Sequence, residues 1–247
     1  MRNTLILSLS LAAVTFTATA QAAPAAVKPN TLTSAEKKAG WKLLFDGKTT
    51  KGWRGFKKPE APTGWTVQDG ILARTDKGGD LMTDEEFSDF EFQTDWKLEE
   101  AGNSGIIYRA SETENAPYMT GPEYQLLDDE KHPDGKAGKD GNRKSGSLYD
   151  VYAASKNVVK LGDWNSTRIV VSGNHVEHWL NGEKVVEAEI GSPEWTSRVG
   201  ASKWAKVATY ATTKAGHIDL QDHGAKVEFR NIKILDLTKA PAKKAKK

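Results

Sequence analysis

From Trp41 onward, apolar and polar residues alternate in short runs divided by glycine and Asp/Asn turns. The clearest run sets Phe90, Phe92, Thr94, Trp96 and Leu98 against Glu91, Gln93, Asp95, Lys97 and Glu99, the period-two pattern of a strand with one buried and one wet face. Asn181-Gly182 lies between His175–Leu180 and residues 184–190, and Asp69-Gly70 lies between Trp65–Gln68 and Ile71–Arg74. Each predicts a two-residue hairpin, because both dipeptides tolerate the positive φ angles such turns require. Over the whole chain the pattern predicts about ten to twelve strands. Helical signals are few: residues 33–38 fit one turn, and residues 192–205 fit one short helix with Ser192 as cap, Pro193 in the first turn and Trp195 and Val199 on one face. Strands without alternating helices argue against a parallel βαβ sheet and predict an all-β sandwich or jelly roll of two packed antiparallel sheets. The absence of an internal repeat sets propellers and solenoids aside.

The N-terminus follows a different pattern. One arginine in residues 1–3 precedes an apolar and hydroxylic run over residues 4–16, and Ala18, Ala20 and Ala22 offer small residues at alternate positions. Together they predict a signal peptide over residues 1–22, cleaved after Ala20 or Ala22. That run is too short to span a bilayer, and no later stretch reaches the roughly 20 apolar residues of a spanning helix, so the expectation is an exported protein, periplasmic or secreted, with no membrane span. A Pro/Ala-rich linker over residues 23–39, one domain over residues 40–238 and a disordered lysine-rich tail over residues 239–247 complete the expected organisation.

Composition narrows the chemistry. With 38% hydrophobic and 28% charged residues the chain is an ordinary globule, and with no cysteine it has no disulfide, thiolate metal site, cysteine nucleophile or lipoprotein anchor. The formal charge of +2 misleads, because five lysines lie in the last nine residues and Arg2 belongs to the signal. Without those six, 29 basic residues face 33 acidic ones, which excludes the basic surface expected of a nucleic-acid binder.

Eight tryptophans point to a carbohydrate ligand, since sugar rings stack their C–H faces on aromatic rings. Trp41, Trp53, Trp65 and Trp96 read as core or strand-edge residues, whereas Trp179 and Trp204 neighbour polar residues and are candidates for a binding face. The sharpest polar constellation is Glu123-Tyr124-Gln125-Leu126-Leu127-Asp128. On a strand Glu123 and Gln125 share a face, and a bulge after Gln125 would bring Asp128 onto it, giving two carboxylates able to divide acid and base work. As a bare pattern, two acids five apart on a strand are usually solvated surface charges. The run from Asn103 to Arg109 aligns Asn103, Gly105, Ile107 and Arg109, and the glycine leaves room for a ligand to approach the backbone. Arg109 then holds either a substrate oxygen or a neighbouring carboxylate. His178 precedes the Asn-Gly turn and His223 ends Gln221-Asp222-His223; each is a proton-transfer candidate or a structural histidine. Residues 128–146, rich in Asp, Gly and Lys, read as a long mobile loop of the kind that forms lids. Its oxygen-bearing residues match no calcium-loop spacing, so the cofactor expectation is none, with a divalent cation the alternative.

These motifs occur in an order that resembles the 3-keto-disaccharide hydrolase family: Leu44-Phe45-Asp46-Gly47 with Gly52-Trp53, Asn103-Ser104-Gly105-Ile106 with Arg109, Glu123 to Asp128, Gly146-Ser147-Leu148-Tyr149, Trp164-Asn165, Leu180-Asn181-Gly182, Leu220-Gln221-Asp222-His223-Gly224 and Phe229-Arg230-Asn231-Ile232. The resemblance covers about residues 41–237 and implies a concanavalin-like jelly roll of two curved antiparallel sheets acting on glycosides already oxidised at C3 of the sugar. A C3 ketone acidifies the C2 hydrogen, so a base can form an enolate that expels the C1 substituent by β-elimination before water adds. On that chemistry Glu123 or Asp128 is the candidate base and His223 or His178 the donor to the leaving oxygen. Arg109 and Lys203 stand to stabilise the enolate, and Asn103, Gln125, Tyr149, Trp179 and Gln221 to bind substrate. Two rival readings remain open: a lectin-like module that binds sugar without cleaving it, and a retaining glycosidase acting on unoxidised glycans with two close carboxyl groups.

Overall fold

A computed structural model describes residues 28–239; the expected signal peptide lies outside the described residues, as does the tail beyond Lys239. The chain is all-β, built from two antiparallel sheets. The larger contains β1 (Trp41–Leu43), β3 (Trp65–Gln68), β4 (Ile71–Arg74), β6 (Phe90–Leu98), β9 (Asn165–Ser172), β10 (His175–Leu180), β11 (Glu183–Glu189) and β13 (Val227–Asp236). Its order is β11-β10-β9-β6-β13-β4-β3, with β1 on the far half of the long β13. The smaller contains β2 (Trp53–Gly55), β5 (Leu81–Thr83), β7 (Asn103–Ala110), β8 (Glu123–Leu127) and β12 (His217–Leu220), in the order β2-β5-β12-β7-β8. Both expected hairpins form, β3–β4 across Asp69-Gly70 and β10–β11 across Asn181-Gly182, with Asp69 and Asn181 in the left-handed region. The thirteen strands among the described residues exceed the expected count because β1, β2 and β5 are three residues each, too short to register as alternation.

In β6 the alternation is complete: Phe90, Phe92, Thr94, Trp96 and Leu98 are buried while the residues between them are half-exposed. The core between the sheets joins these rings to Leu72, Ile106, Tyr108, Tyr124, Val171 and Phe229. Trp53, Trp65 and Trp96 lie in that core, as their spacing predicts, and Trp41 is half-buried with the Lys233 amine over its ring. β7 and β8 are buried at every position, so the smaller sheet is covered on its outer side as well. That cover positions the site.

Two local readings change. The helical turn expected over residues 33–38 forms as α1 (Ser34–Ala39), closed by a Thr33/Glu36 capping box, but the segment expected to be linker is fastened to β13 by an Asn30–Asn231 pair of reciprocal hydrogen bonds (2.7 and 2.8 Å) and a Glu36–Lys233 ion pair. The second helix, α2, runs only over Pro193–Gly200, although Ser192 caps it as expected by accepting from the Trp195 N–H. It stops early because Gly200 is a poor helix former and the Ser202 hydroxyl donates to the Val199 carbonyl while accepting the Trp204 N–H, drawing the backbone into a turn. That turn carries Lys203 and Trp204. A stack of rings, Tyr152, Trp195, Tyr210 and Trp204, with successive centroids 4.8 to 6.2 Å apart, packs the segment down.

Candidate active site

The smaller sheet turns Ser104, Ile106 and Tyr108 of β7 and Tyr124 and Leu126 of β8 toward the core. By alternation Asn103, Gly105, Ile107, Glu123 and Gln125 face the other way. Register sets Gly105 beside Gln125 and Ile107 beside Glu123, and the Gln221 N–H, just beyond β12, donates to the Gly105 carbonyl at 2.9 Å. Over this polar floor opens a cleft of about 370 Å³. Asn103, Glu123, Gln125 and Gln221 line its base, and Tyr118, Asp134, Tyr149, Lys203, Trp204 and His223 enter from loops.

Gly105 is what lets Glu123 lie there. A Cβ on Gly105 would sit 2.4 Å from Glu123 Oε1 and 3.0 Å from its Cγ and Cδ, so only a residue without a side chain admits the carboxyl across β7. With its amide nitrogen turned toward the carboxyl, Gln125 donates to Glu123 Oε1 at 3.2 Å and to the Ser104 carbonyl at 3.0 Å. Burial pushes the Glu123 carboxyl up to about 8; the Lys203 charge opposes the shift, and Asp80 and Asp134 add to it. A carboxyl with that affinity is a strong base when ionised and is poised near neutral pH.

Lys203 is the cation of the cleft. Its amine lies 4.1 Å from the Tyr149 ring centroid, 4.5 Å from that of Trp204 and 5.7 Å from that of Tyr118. Burial holds the ammonium below its ordinary range, Glu123 draws it back up, and Arg143 adds to the depression. The wall below is braced: Tyr149 donates its hydroxyl to Asp134 at 2.9 Å, Arg143 pairs with Asp150 at 2.7 Å, and the Lys203 N–H donates to the other Asp150 oxygen at 2.8 Å. Residues 128–146 therefore form the side of the cleft through Asp134, within a short 3-10 turn over Pro133–Lys136. His223 stands exposed at the rim with its ring edge-on to His132, centroids 6.0 Å apart.

Eight of the residues singled out in the sequence meet here: Asn103, Glu123, Gln125, Tyr149, Lys203, Trp204, Gln221 and His223. Four do not. β8 pairs with β7 in unbroken register through Leu127, so the bulge that would have turned Asp128 into the cleft does not form. Asp128 instead accepts from the Ala101, Glu130 and Lys131 N–H groups; burial pushes its carboxyl up, but these donors outweigh burial and hold it below the usual range. Arg109 leaves the face it was expected to share because a bulge sets two residues of β7, Tyr108 and Arg109, against one of β12, and Arg109 takes φ 52°. Its guanidinium donates to the Ser88 carbonyl and to Asp89, an ion pair at 3.1 Å, so the structural alternative holds. His178 points between the sheets, bonded to the Tyr108 hydroxyl and the Gly146 carbonyl (3.1 Å each), and burial drives its imidazole down to about 4. Trp179 lies on the outer face of the opposite sheet with the Arg168 guanidinium over its ring. Trp204, the other tryptophan candidate, does reach the cleft.

Tyr118, Asp134, Asp80 and Asp219 were missed. Asp219 carried a signal, since it lies two residues before Gln221 on one strand face. Its carboxyl is fully buried with neither oxygen hydrogen-bonded, and burial with Asp80 and Glu123 nearby raises it well above the usual range. Burial likewise lifts Asp80 to about 6. In the loop over residues 128–146, Asp128 and one oxygen of Asp129 are taken by backbone N–H groups and Asp134 by Tyr149, while the other Asp129 oxygen is buried without a partner. The one group among the described residues with three close ligand atoms is His175, Glu177 and Glu187, on the outer face of the larger sheet, where Lys184 already bridges both glutamates.

A family model described as a 3-keto-alpha-glucoside-1,2-lyase-like domain matches residues 40–235. A 3-keto-disaccharide hydrolase of Bacteroides thetaiotaomicron is 37% identical over 225 residues, 79% of this chain and 78% of that protein. The solved structure of a protein assigned to the glycosyl hydrolases from Parabacteroides distasonis is 38% identical, with a TM-score of 0.77 over 85% of this chain and 100% of the other. A Bacillus subtilis protein with a galectin-like fold, 16% identical with a TM-score of 0.50, covers 85% of this chain and 95% of its own, and shares the fold alone.

Proposed function

The chain belongs to the 3-keto-alpha-glucoside-1,2-lyase-like family and is a glycoside hydrolase or lyase of that family, and on this premise we propose that it cleaves the glycosidic bond of 3-keto-glycosides by elimination followed by hydration. The observation that carries the proposal is the Glu123 carboxyl, laid over Gly105 at the floor of the cleft, with an affinity for protons near 8 and an amine facing it. Ionised Glu123 takes the C2 proton, which the C3 ketone has made acidic. Negative charge then develops on the C3 oxygen, and Lys203 is the group placed to answer it. The electrons collapse toward C1 and break its bond to the leaving oxygen, which His223 protonates from the rim. Water adds at C1 to complete hydrolysis. Asn103, Gln125 and Gln221 present amides to the sugar hydroxyls, and Tyr149 and Trp204 bound the ring.

This route needs one base and one cation, which is the balance the cleft offers. A retaining glycosidase would need a second free carboxylate, and the other one lining the cleft, Asp134, is engaged by Tyr149 and lies 3.5 Å from Arg143. A purely binding module gains nothing from burying a carboxyl whose ionisation is so costly. The N-terminal pattern of residues 1–22 supports export, so the proposed substrate is met outside the cytoplasm.

The test is turnover of paired substrates by the purified mature protein, in the presence of chelator because the route calls on no resident cofactor. The 3-keto-glycoside is expected to release its aglycone, while the parent glycoside is cleaved at least about a hundredfold more slowly, lacking an acidic C2 hydrogen. Equal turnover of both would restore the glycosidase reading, and binding of both without turnover the lectin-like one.

A further inference from the structure

We propose that Lys203 is a covalent catalyst, its amine condensing with the C3 ketone of the substrate to give an iminium ion from which the C2 proton is removed. The inference rests on the substrate class proposed above and replaces the electrostatic role of Lys203 with a covalent one, the iminium and its enamine taking the place of the ketone and its enolate. Three observations converge on it. The amine is held in a cage of three rings, Tyr149, Trp204 and Tyr118, at the wall of the cleft, and among the described residues it makes no ion pair. Burial lowers the proton affinity of the amine, which eases the loss of the proton that a nucleophilic amine must give up. The same rings that face an ammonium face an iminium equally well, so the cage stabilises the charged intermediate at the place where it forms.

The aromatic setting distinguishes this amine from an ordinary electrostatic lysine. A lysine meant only to pair with an enolate oxygen works best as a full cation with hydrogen-bonding partners that hold it charged. Lys203 has rings instead, and Glu123 stands within the reach of its field. The Lys203 backbone is fixed by the Asp150 bond to its N–H, and Trp204 is pinned by its stack on Tyr210, so the amine is presented from a defined direction.

The steps balance. Ionised Glu123 takes a proton from the Lys203 ammonium, the neutral amine attacks C3 to give a carbinolamine, and Glu123 returns that proton as the hydroxyl leaves as water, giving the iminium and ionised Glu123. Glu123 then removes the C2 proton, and the C2–H electron pair forms the enamine. Those electrons expel the C1 substituent, whose oxygen takes the pair and a proton from His223. One water adds to C1 of the resulting unsaturated iminium, C2 regains its proton, and a second water hydrolyses the iminium, freeing Lys203. One water is released and two are consumed, so the net reaction is hydrolysis.

Sodium cyanoborohydride, which reduces an iminium at neutral pH, tests the proposal when added to the full mature protein during turnover of a methyl 3-keto-glucoside. The expected result is irreversible loss of activity with one sugar-derived adduct per chain by intact mass, mapped by peptide sequencing to Lys203 and absent from Lys203→Arg. Steady turnover in the presence of cyanoborohydride without an adduct would overturn covalent catalysis and leave the substrate class standing. Adducts spread over many lysines at the same level in Lys203→Arg would overturn it as well. Neither turnover nor adduct would overturn the substrate class and this proposal together. Because the mapping is done on the wild-type chain, the result does not depend on how the variant folds.

Discussion

Replacing Gly105 by alanine adds one methyl group where β7 passes beneath the Glu123 carboxyl. The new Cβ would lie 2.4 Å from Oε1 and 3.0 Å from Cγ and Cδ, while ordinary contact begins at 3.4 Å, so the carboxyl has to move by about 1 Å. The backbone contributes no strain, because Gly105 is an ordinary strand position rather than a left-handed one. A base displaced by about 1 Å from its proton costs on the order of 10² in rate, about 2.7 kcal/mol in the barrier. Overpacking of this kind destabilises by about 1–3 kcal/mol, partly offset by the lower chain entropy of alanine. For a domain of this size that lowers the melting temperature by less than about 10 °C. The assay is kcat and KM on a 3-keto-glycoside alongside a thermal scan: kcat should fall about a hundredfold in a protein that remains folded. Asp128→Asn is the matched control, since its carboxylate serves backbone N–H groups away from the cleft and turnover should stay within about threefold. Gly105→Ala with kcat within threefold of wild type, at the expected small loss of stability, would refute the assignment of Glu123 as the base.

With the Glu123 carboxyl near 8, the ionised fraction is about one in eleven at pH 7 and one half at pH 8, so kcat/KM should rise about fivefold over that interval and level off above it; a profile flat from pH 6 to 9 would remove Glu123 from the chemistry. His178 is neutral in the fold down to about pH 4, whereas an unfolded histidine titrates near 6.5. Its depressed affinity therefore contributes stability that is complete above about pH 6.5 and lost as pH falls through 4, by about 3 kcal/mol. Denaturant titrations should show the stability gap between wild type and His178→Gln shrinking from pH 7 to pH 4, with the rate profile unshifted, and a gap independent of pH would sink the reasoning.

Much of the fold follows from local rules. Period-two alternation sets which residues of β6 face inward, and the Asx-Gly dipeptides close their hairpins because few other residues accept the required angles. Ser192 begins its helix as a cap should, and the polar row Asn103, Gly105, Glu123, Gln125 can be read from strand alternation alone. What fails is whatever depends on irregularity. α2 ends before residue 205 because side-chain bonds of Ser202 compete with the helix. Arg109 leaves its expected face because one bulge in β7 reverses everything beyond it, and Asp128 does so because the expected bulge in β8 is absent.

Strand alternation tells which side of a sheet a residue occupies, but not what lies opposite. His178 and Glu123 are equally good proton carriers in the sequence, and both sit on strands at regular inward or outward positions. Only packing decides between them: the inward face of β10 meets the core and shuts His178 in, while the outward face of β8 meets the cleft. The same holds for Tyr118 and Asp134, which come from two separate loops over the smaller sheet and share no spacing that a linear pattern could reveal. Linear pattern is enough for the class of fold, its hairpins and the polar strand face at which chemistry can occur. Which carboxyl is desolvated and which amine faces it follow from packing, since proton affinity depends on burial and neighbouring charge, and both are properties of contacts distant in the chain.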